Sequence, residues 1–293
     1  MKRMVFIAGA AASTAAAVLV APNPQTGAGN LFTLCLTATS SVAAGGLWTA
    51  WSFAPAVLVP LLALGLGYAG HARAHAADPQ RAMLFASGYL ALAAAVASPL
   101  CRMAATLASA HMIQHAILVA LAPPLILLGF QRARVGNAAV ENRPLVTHPG
   151  WAAVPYGVFI WFWHVPRLYE AALTDVYVHL LMYASLLGTG FLFWNSVMTA
   201  VRSRSALQGW AIVALIVTFI HTGMLGALLT FSGHLWFPIM APGALIFGLT
   251  PLDDQQLAGL IMWVPMGLVY VVAALWAFGR VLAEMEAPAA LRQ

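Results

Sequence analysis

Charge is what this sequence has least of. Only 7% of its 293 residues are Asp, Glu, Lys or Arg, where an ordinary soluble domain carries about a quarter. With 62% hydrophobic residues and a mean hydropathy of +0.87, a soluble globular domain is excluded. Cysteine is nearly absent too: Cys35 and Cys101 stand alone, in no CxxC arrangement. One disulfide on the outer side, two free thiols and metal ligation all stay open for them. No serine or cysteine nucleophile motif, Walker loop, GxGxxG fingerprint, HExxH or CxxCH occurs. A catalytic role therefore has nothing specific behind it, and neither has covalent haem. The net charge of +5 and pI near 9.6 do not point to nucleic acid, because the basic residues are not clustered.

What is present in abundance is apolar sequence in runs of about 17–25 residues, each long enough to cross a bilayer. The chain reads as an all-α, polytopic transmembrane bundle. Residues 1–21, behind Lys2 and Arg3, have the shape of a signal peptide or an N-terminal anchor helix. Residues 22–50 read as an outer-side segment. A seven-helix domain follows over 51–280, with runs at 53–70, 82–98, 107–128, 150–165, 177–198, 209–231 and 257–279, and then a tail over 281–293. Arg73, Arg81, Arg132, Arg134, Arg143, Arg202, Arg204, Arg280 and Arg292 fall in alternate loops and the tail, and only Arg102 and Arg167 on the opposite side. Cytoplasmic loops collect Lys and Arg, so the first set and the C-terminus face the cytoplasm.

That orientation sorts the nine histidines. His71, His75 and His148 fall in cytoplasmic loops. His111 and His115, in "HMIQH", lie one turn apart on the same face of the third run as it descends from outside. At 1.5 Å per residue, His115 stands roughly 12 Å below the outer end. His164 ends the fourth run in "WFWHVP", His179 opens the fifth, and His221 lies in the sixth at a depth similar to His115. His234 is in the outer loop that follows. Four helices thus supply imidazoles to one layer. Polar groups at membrane depth are costly and mark function by default, although a lone membrane histidine also serves as a simple helix–helix hydrogen bonder. Neutral imidazole is a general transition-metal ligand. Met103, Met112, Met182, Met224, Met262 and Met266 share that half of the membrane, and thioether with imidazole suits copper; methionine is equally an ordinary core filler.

Two further features carry structural expectations. "LDDQQ" (252–256) reads as a cap on the seventh run, with metal handling or partner docking as the alternative. Pro123 and Pro124 remove two backbone donors, so freed carbonyls need partners from neighbouring helices, which implies tight packing ahead of a hinge.

The combined pattern resembles the seven-helix CtaG family of cytochrome c oxidase assembly factors, in its caa-type oxidase form, over about residues 48–280. "HMIQH" with "APP", "WHVPRLYEAAL" and "LTPLDDQQLAGLIMWVP" carry the resemblance, the last being the most specific. It implies a non-enzymatic factor of the bacterial plasma membrane, with cytochrome c oxidase subunits as partners and a part in delivering copper. His111, His115, His164, His179 and His221 are the candidate metal ligands, while Gln114, Met112, Tyr183, Asp254 and Gln255 are supporting or docking residues. The family pattern has a second histidine one turn after His179, preceded by an acidic residue; here those positions read Met182 and Tyr183. Two alternatives remain at this stage. One is an electron carrier holding haem b between His115 and either His179 or His221. The other is a copper permease, for which the inner half offers only Met83 and Met198.

Overall fold

A computed structural model describes residues 51–75, 78–131, 148–203 and 206–286. Among these the secondary structure is entirely helical. Helix α1 spans Pro55–His75, α2 Pro79–Ala97, and α3 the short Pro99–Ala104. The next rod starts as α4 (Ala108–Ala116), widens into a π-turn (Ile117–Leu121) and continues as α5 (Ala122–Phe130). Then come α6 (Pro149–Trp163), the short α7 (Pro166–Thr174), α8 (Val176–Val201) and α9 (Leu207–Phe231). A 3₁₀ turn (Pro238–Met240) and α10 (Ala241–Ile246) precede α11 (Pro251–Trp263) and α12 (Pro265–Glu286).

Every expected run appears as a helix. Among the described residues six rods are long and apolar enough to cross a membrane: α1, α2, α4–α5, α8, α9 and α11–α12. The fourth run forms α6, which has only 15 residues. The main boundary error is at the last rod, which starts at Pro251 and not near 257. "LDDQQ" reads as a cap ahead of the run, but Asp254 and Gln255 are buried inside the helix because other segments satisfy them. The rod also runs to Glu286, into the expected tail. The signal or anchor at 1–21, the outer segment 22–50, Cys35, Arg132, Arg134 and Arg143 lie outside the described residues. Cys101 is buried and disulfide-bonded, so it is neither a free thiol nor a metal ligand.

Helix α9 packs on α11, α12, α6 and α8, while α5 packs on α2 and α8, and α4 on α11. Helix α1 touches chiefly α2 and is the least buried rod. Lipid is as apolar as a leucine side chain, so close backbone approach and polar ties, rather than water exclusion, hold such rods together. The α9–α11 crossing shows the first device. A Cβ on Gly226 would stand 2.8 Å from the Gly259 carbonyl oxygen, and one on Gly259 would stand 2.6 Å from the Thr230 nitrogen.

The π-turn shows the second. Pro123 has no N–H to return to Val119, four residues earlier, so that carbonyl is free at membrane depth. Tyr156 of α6 donates its hydroxyl to it at 2.9 Å, and Trp194 of α8 donates its indole N–H at the same distance. The prolines therefore serve packing, as their sequence position suggests.

Gly259→Ala should force α9 and α11 apart and cost about 1–3 kcal/mol, the usual range for overpacking. Unfolding in detergent micelles, followed by heat or by denaturant, measures the loss.

Candidate metal centre

Two short helices are followed by two long ones in the same way, and each junction positions a histidine. Helix α3 ends at Ala104, leaving carbonyls without helical partners. The Nδ1 of His111, one turn into α4, bonds the Ala104 carbonyl at 3.0 Å. Helix α7 leaves the Ala172 carbonyl to the Nδ1 of His179, one turn into α8, at 2.8 Å. His164 closes α6 and turns its Nδ1 onto the Ile160 carbonyl at 2.6 Å. A carbonyl can only accept, so Nδ1 carries the proton in all three rings. Nε2 is then the atom with the free lone pair, the arrangement that orients ligating histidines.

Those lone pairs are buried. His111 and His179 are 1% exposed, and His115 and His164 are 4% exposed. The Nε2 atoms of His111, His115 and His179 have no hydrogen-bond partner. Ring centroids of His111 and His115 are 4.2 Å apart, and those of His115 and His164 6.0 Å. His179 lies close enough to act electrostatically on both His111 and His115. The Nε2 of His164 faces the Met112 sulfur at 3.4 Å. Among the described residues, no three His, Cys, Asp or Glu side chains stand already arranged to hold an ion.

His221 is not brought into this group. It is partly buried and accepts from the Trp161 indole N–H through Nδ1 at 3.4 Å, beside Gly157. There it borders a groove on the outside of α6 and α9, with Trp210 and Val217. Depth along a helix was readable from the rise per residue, but the face His221 turns was not.

The other expected site residues support the cluster. Asp254 does not cap its own helix; Thr250 does, accepting from the Asp253 N–H. Instead the Asp254 carboxylate caps α4, accepting from the Ala108 N–H at 2.7 Å, the Ser109 N–H at 3.1 Å and the Ser109 hydroxyl at 2.5 Å. It thereby fixes the turn that carries His111 and His115. Gln255 accepts from the Trp236 N–H at 2.5 Å and donates to the His234 carbonyl at 2.9 Å, holding the loop after α9 in place. Both side chains are spent internally. Gln114 donates to the Ala95 carbonyl at 2.6 Å, tying α4 to α2. Tyr183, where the resemblance implies a histidine, lays its ring 4.4 Å from that of His179. Its hydroxyl is buried, without a hydrogen-bond partner, and faces Gln114.

Two aromatic residues absent from the expected site close it at the end of the bundle. Tyr169 of α7 sits 4.8 Å from the His111 ring and stacks on Phe237 at 4.0 Å. Tyr169 stands in "WHVPRLYEAAL", so its motif was visible although its role was not. Phe237, in an apolar loop, had no sequence signal.

Together these features define a helical membrane protein with four buried imidazoles gathered at one end of its bundle, three of them tied to backbone carbonyls through Nδ1. Residues 63–284 match the family of the cytochrome c oxidase caa3 assembly factor, Caa3_CtaG, and the chain belongs to that family. No curated protein and no solved structure matches the chain.

Asp254→Ala should leave three buried donors unpaired, at about 1–3 kcal/mol each, and loosen the start of α4. Asp254→Asn keeps an acceptor oxygen and should cost less. Thermal unfolding in detergent ranks the two; equal stability of Asp254→Ala and the parent would contradict the cap.

Proposed function

We propose that this cytochrome c oxidase caa3 assembly factor handles copper for the oxidase through His111, His115, His164 and His179, at the end of the bundle that faces out of the cytoplasm. The observation that carries this reading is the set of three buried Nε2 atoms without a hydrogen-bond partner among the described residues, on His111, His115 and His179; Nδ1 bonds leave the Nε2 lone pair free on His111 and His179. An unpaired buried polar atom costs free energy, and three in one cluster at membrane depth are what an ion would satisfy. The donor chemistry fits: neutral imidazole, oriented through Nδ1, accepts a transition metal at Nε2 without first losing a proton at that atom.

Copper is cargo in this reading, taken up at the cluster and passed to an oxidase subunit. The arginine distribution supports the outward orientation, since His179 opens the helix whose opposite end is closed by Arg202. Asp254 and Gln255 act as positioning residues: one sets the depth of the His111–His115 turn, the other holds the loop that carries Phe237. Haem b fits less well. The void beside His115 and His164 is about 10 Å³, room for about one water-sized sphere and not for a porphyrin. A permease path gains no support from Met83, which lies exposed on the outside of α2.

Protein purified in detergent from copper-replete cells should carry copper, and His111→Ala with His115→Ala should reduce it to background while elution and helicity stay unchanged. Copper content equal to the parent's would overturn the reading, as would a Soret band in its place. In cells lacking the gene, the oxidase should be copper-deficient; normal oxidase copper would count against a role in copper supply.

A further inference from the structure

Beside the imidazole trio lies a small void with a different chemistry. Its walls are Met112, His115, Val119, Ile160, His164, Leu186, Met262 and Met266. Of these, the side chains that can bind a metal are two imidazoles and three thioethers. All five are buried, none more than 4% exposed. Met262 and Met266 come from the junction of α11 and α12, Met112 and His115 from α4, and His164 from the end of α6, so three parts of the fold converge on the void.

The contact between His164 and Met112 is the informative one. His164 commits its Nδ1 proton to the Ile160 carbonyl, so its Nε2 presents a lone pair. The Met112 sulfur, 3.4 Å away, offers only lone pairs as well. Two acceptors thus face each other with no proton between them. Protonating His164 would supply one, but at the cost of a charge in a chamber with no carboxylate on its walls. The Nε2 of His115, on the same void, also lacks a partner. A small cation between these atoms would satisfy all three.

We propose that this chamber is a distinct seat for a monovalent soft cation, Cu(I), bound by the sulfurs of Met112, Met262 and Met266 together with Nε2 of His115 and His164. Thioether donors select Cu(I) over harder ions. The absence of an anionic ligand on the walls acts in the same direction, because the cost of burying an ion grows steeply with its charge. His115 belongs to both the trio and the void, so an ion held by His111 and His179 has a ligand in common with this seat. The inference rests on the copper-handling reading and adds the oxidation state and the sulfur ligands.

The test uses the full-length protein in detergent micelles under anaerobic conditions, with Cu(I) delivered by a chromogenic chelator that also reports affinity. X-ray absorption of the loaded parent protein should show sulfur neighbours besides nitrogen. Met262→Leu with Met266→Leu conserves shape and apolarity. Losing two ligands should weaken Cu(I) binding by more than the about 10–100-fold that loss of an outer-shell partner costs. The same variant should lose most of the sulfur signal, with elution and melting unchanged. A nitrogen-only shell in the parent would overturn the inference without any variant. So would parental Cu(I) affinity in the double leucine variant. If copper still binds in those cases and is lost on changing His111 and His115, the copper-handling reading stands alone. If the parent binds no copper in either oxidation state, both fall together.

Discussion

One carboxylate holds the histidine-bearing end of this molecule together. Asp254, on the first turn of α11, reaches across 146 residues of sequence to cap the start of α4. A helix N-terminus is left with orphan N–H groups and a partial positive charge, and both favour an anion. In lipid those groups have no water to turn to. The depth and rotation of α4 follow from that cap, and with them the placement of His111 and His115. Gln255, next along the same turn, holds the loop that brings Phe237 over Tyr169 and the imidazoles. The most polar stretch of the last rod is therefore the joint between the cluster and its cover.

The cluster itself is built by a repeated local device. A short proline-led helix ends, a long helix begins, and a histidine one turn in closes back on a carbonyl seven residues earlier. Helices α3 with α4, and α7 with α8, use it alike. The result satisfies a helix C-terminus and sets an imidazole lone pair inward in a single hydrogen bond. Tyr183 stands where the resemblance implies a second histidine. Its ring keeps contact with His179, and its hydroxyl keeps an oxygen beside Gln114.

Much of this was legible beforehand, for definable reasons. Spans were readable because a bilayer demands long apolar runs, and all seven runs became helices. The need to satisfy a carbonyl above Pro123 was readable from the missing N–H. What escaped was information carried in azimuth and in distant partners. His221 has the right depth but faces Trp161 and the outside of the bundle. Asp254 seemed to cap its own helix because its true partner is nowhere near it in sequence. Met262 and Met266 could not be told from the other methionines of that half, since only the fold shows that they share a void with His115 and His164.

The Val119 carbonyl makes three distant positions interdependent. Its two donors, Tyr156 and Trp194, belong to α6 and α8, and it is available to them only because Pro123 cannot reclaim it. A residue with an N–H at position 123 would draw the carbonyl back into its own helix and strand the Trp194 indole N–H in a dry interior, while the Tyr156 hydroxyl would keep only Tyr270 as partner. Removing either aromatic while keeping the proline would weaken the seam from the other side. Pro123, Tyr156 and Trp194 thus form a unit that can be exchanged as a whole far more readily than one member at a time.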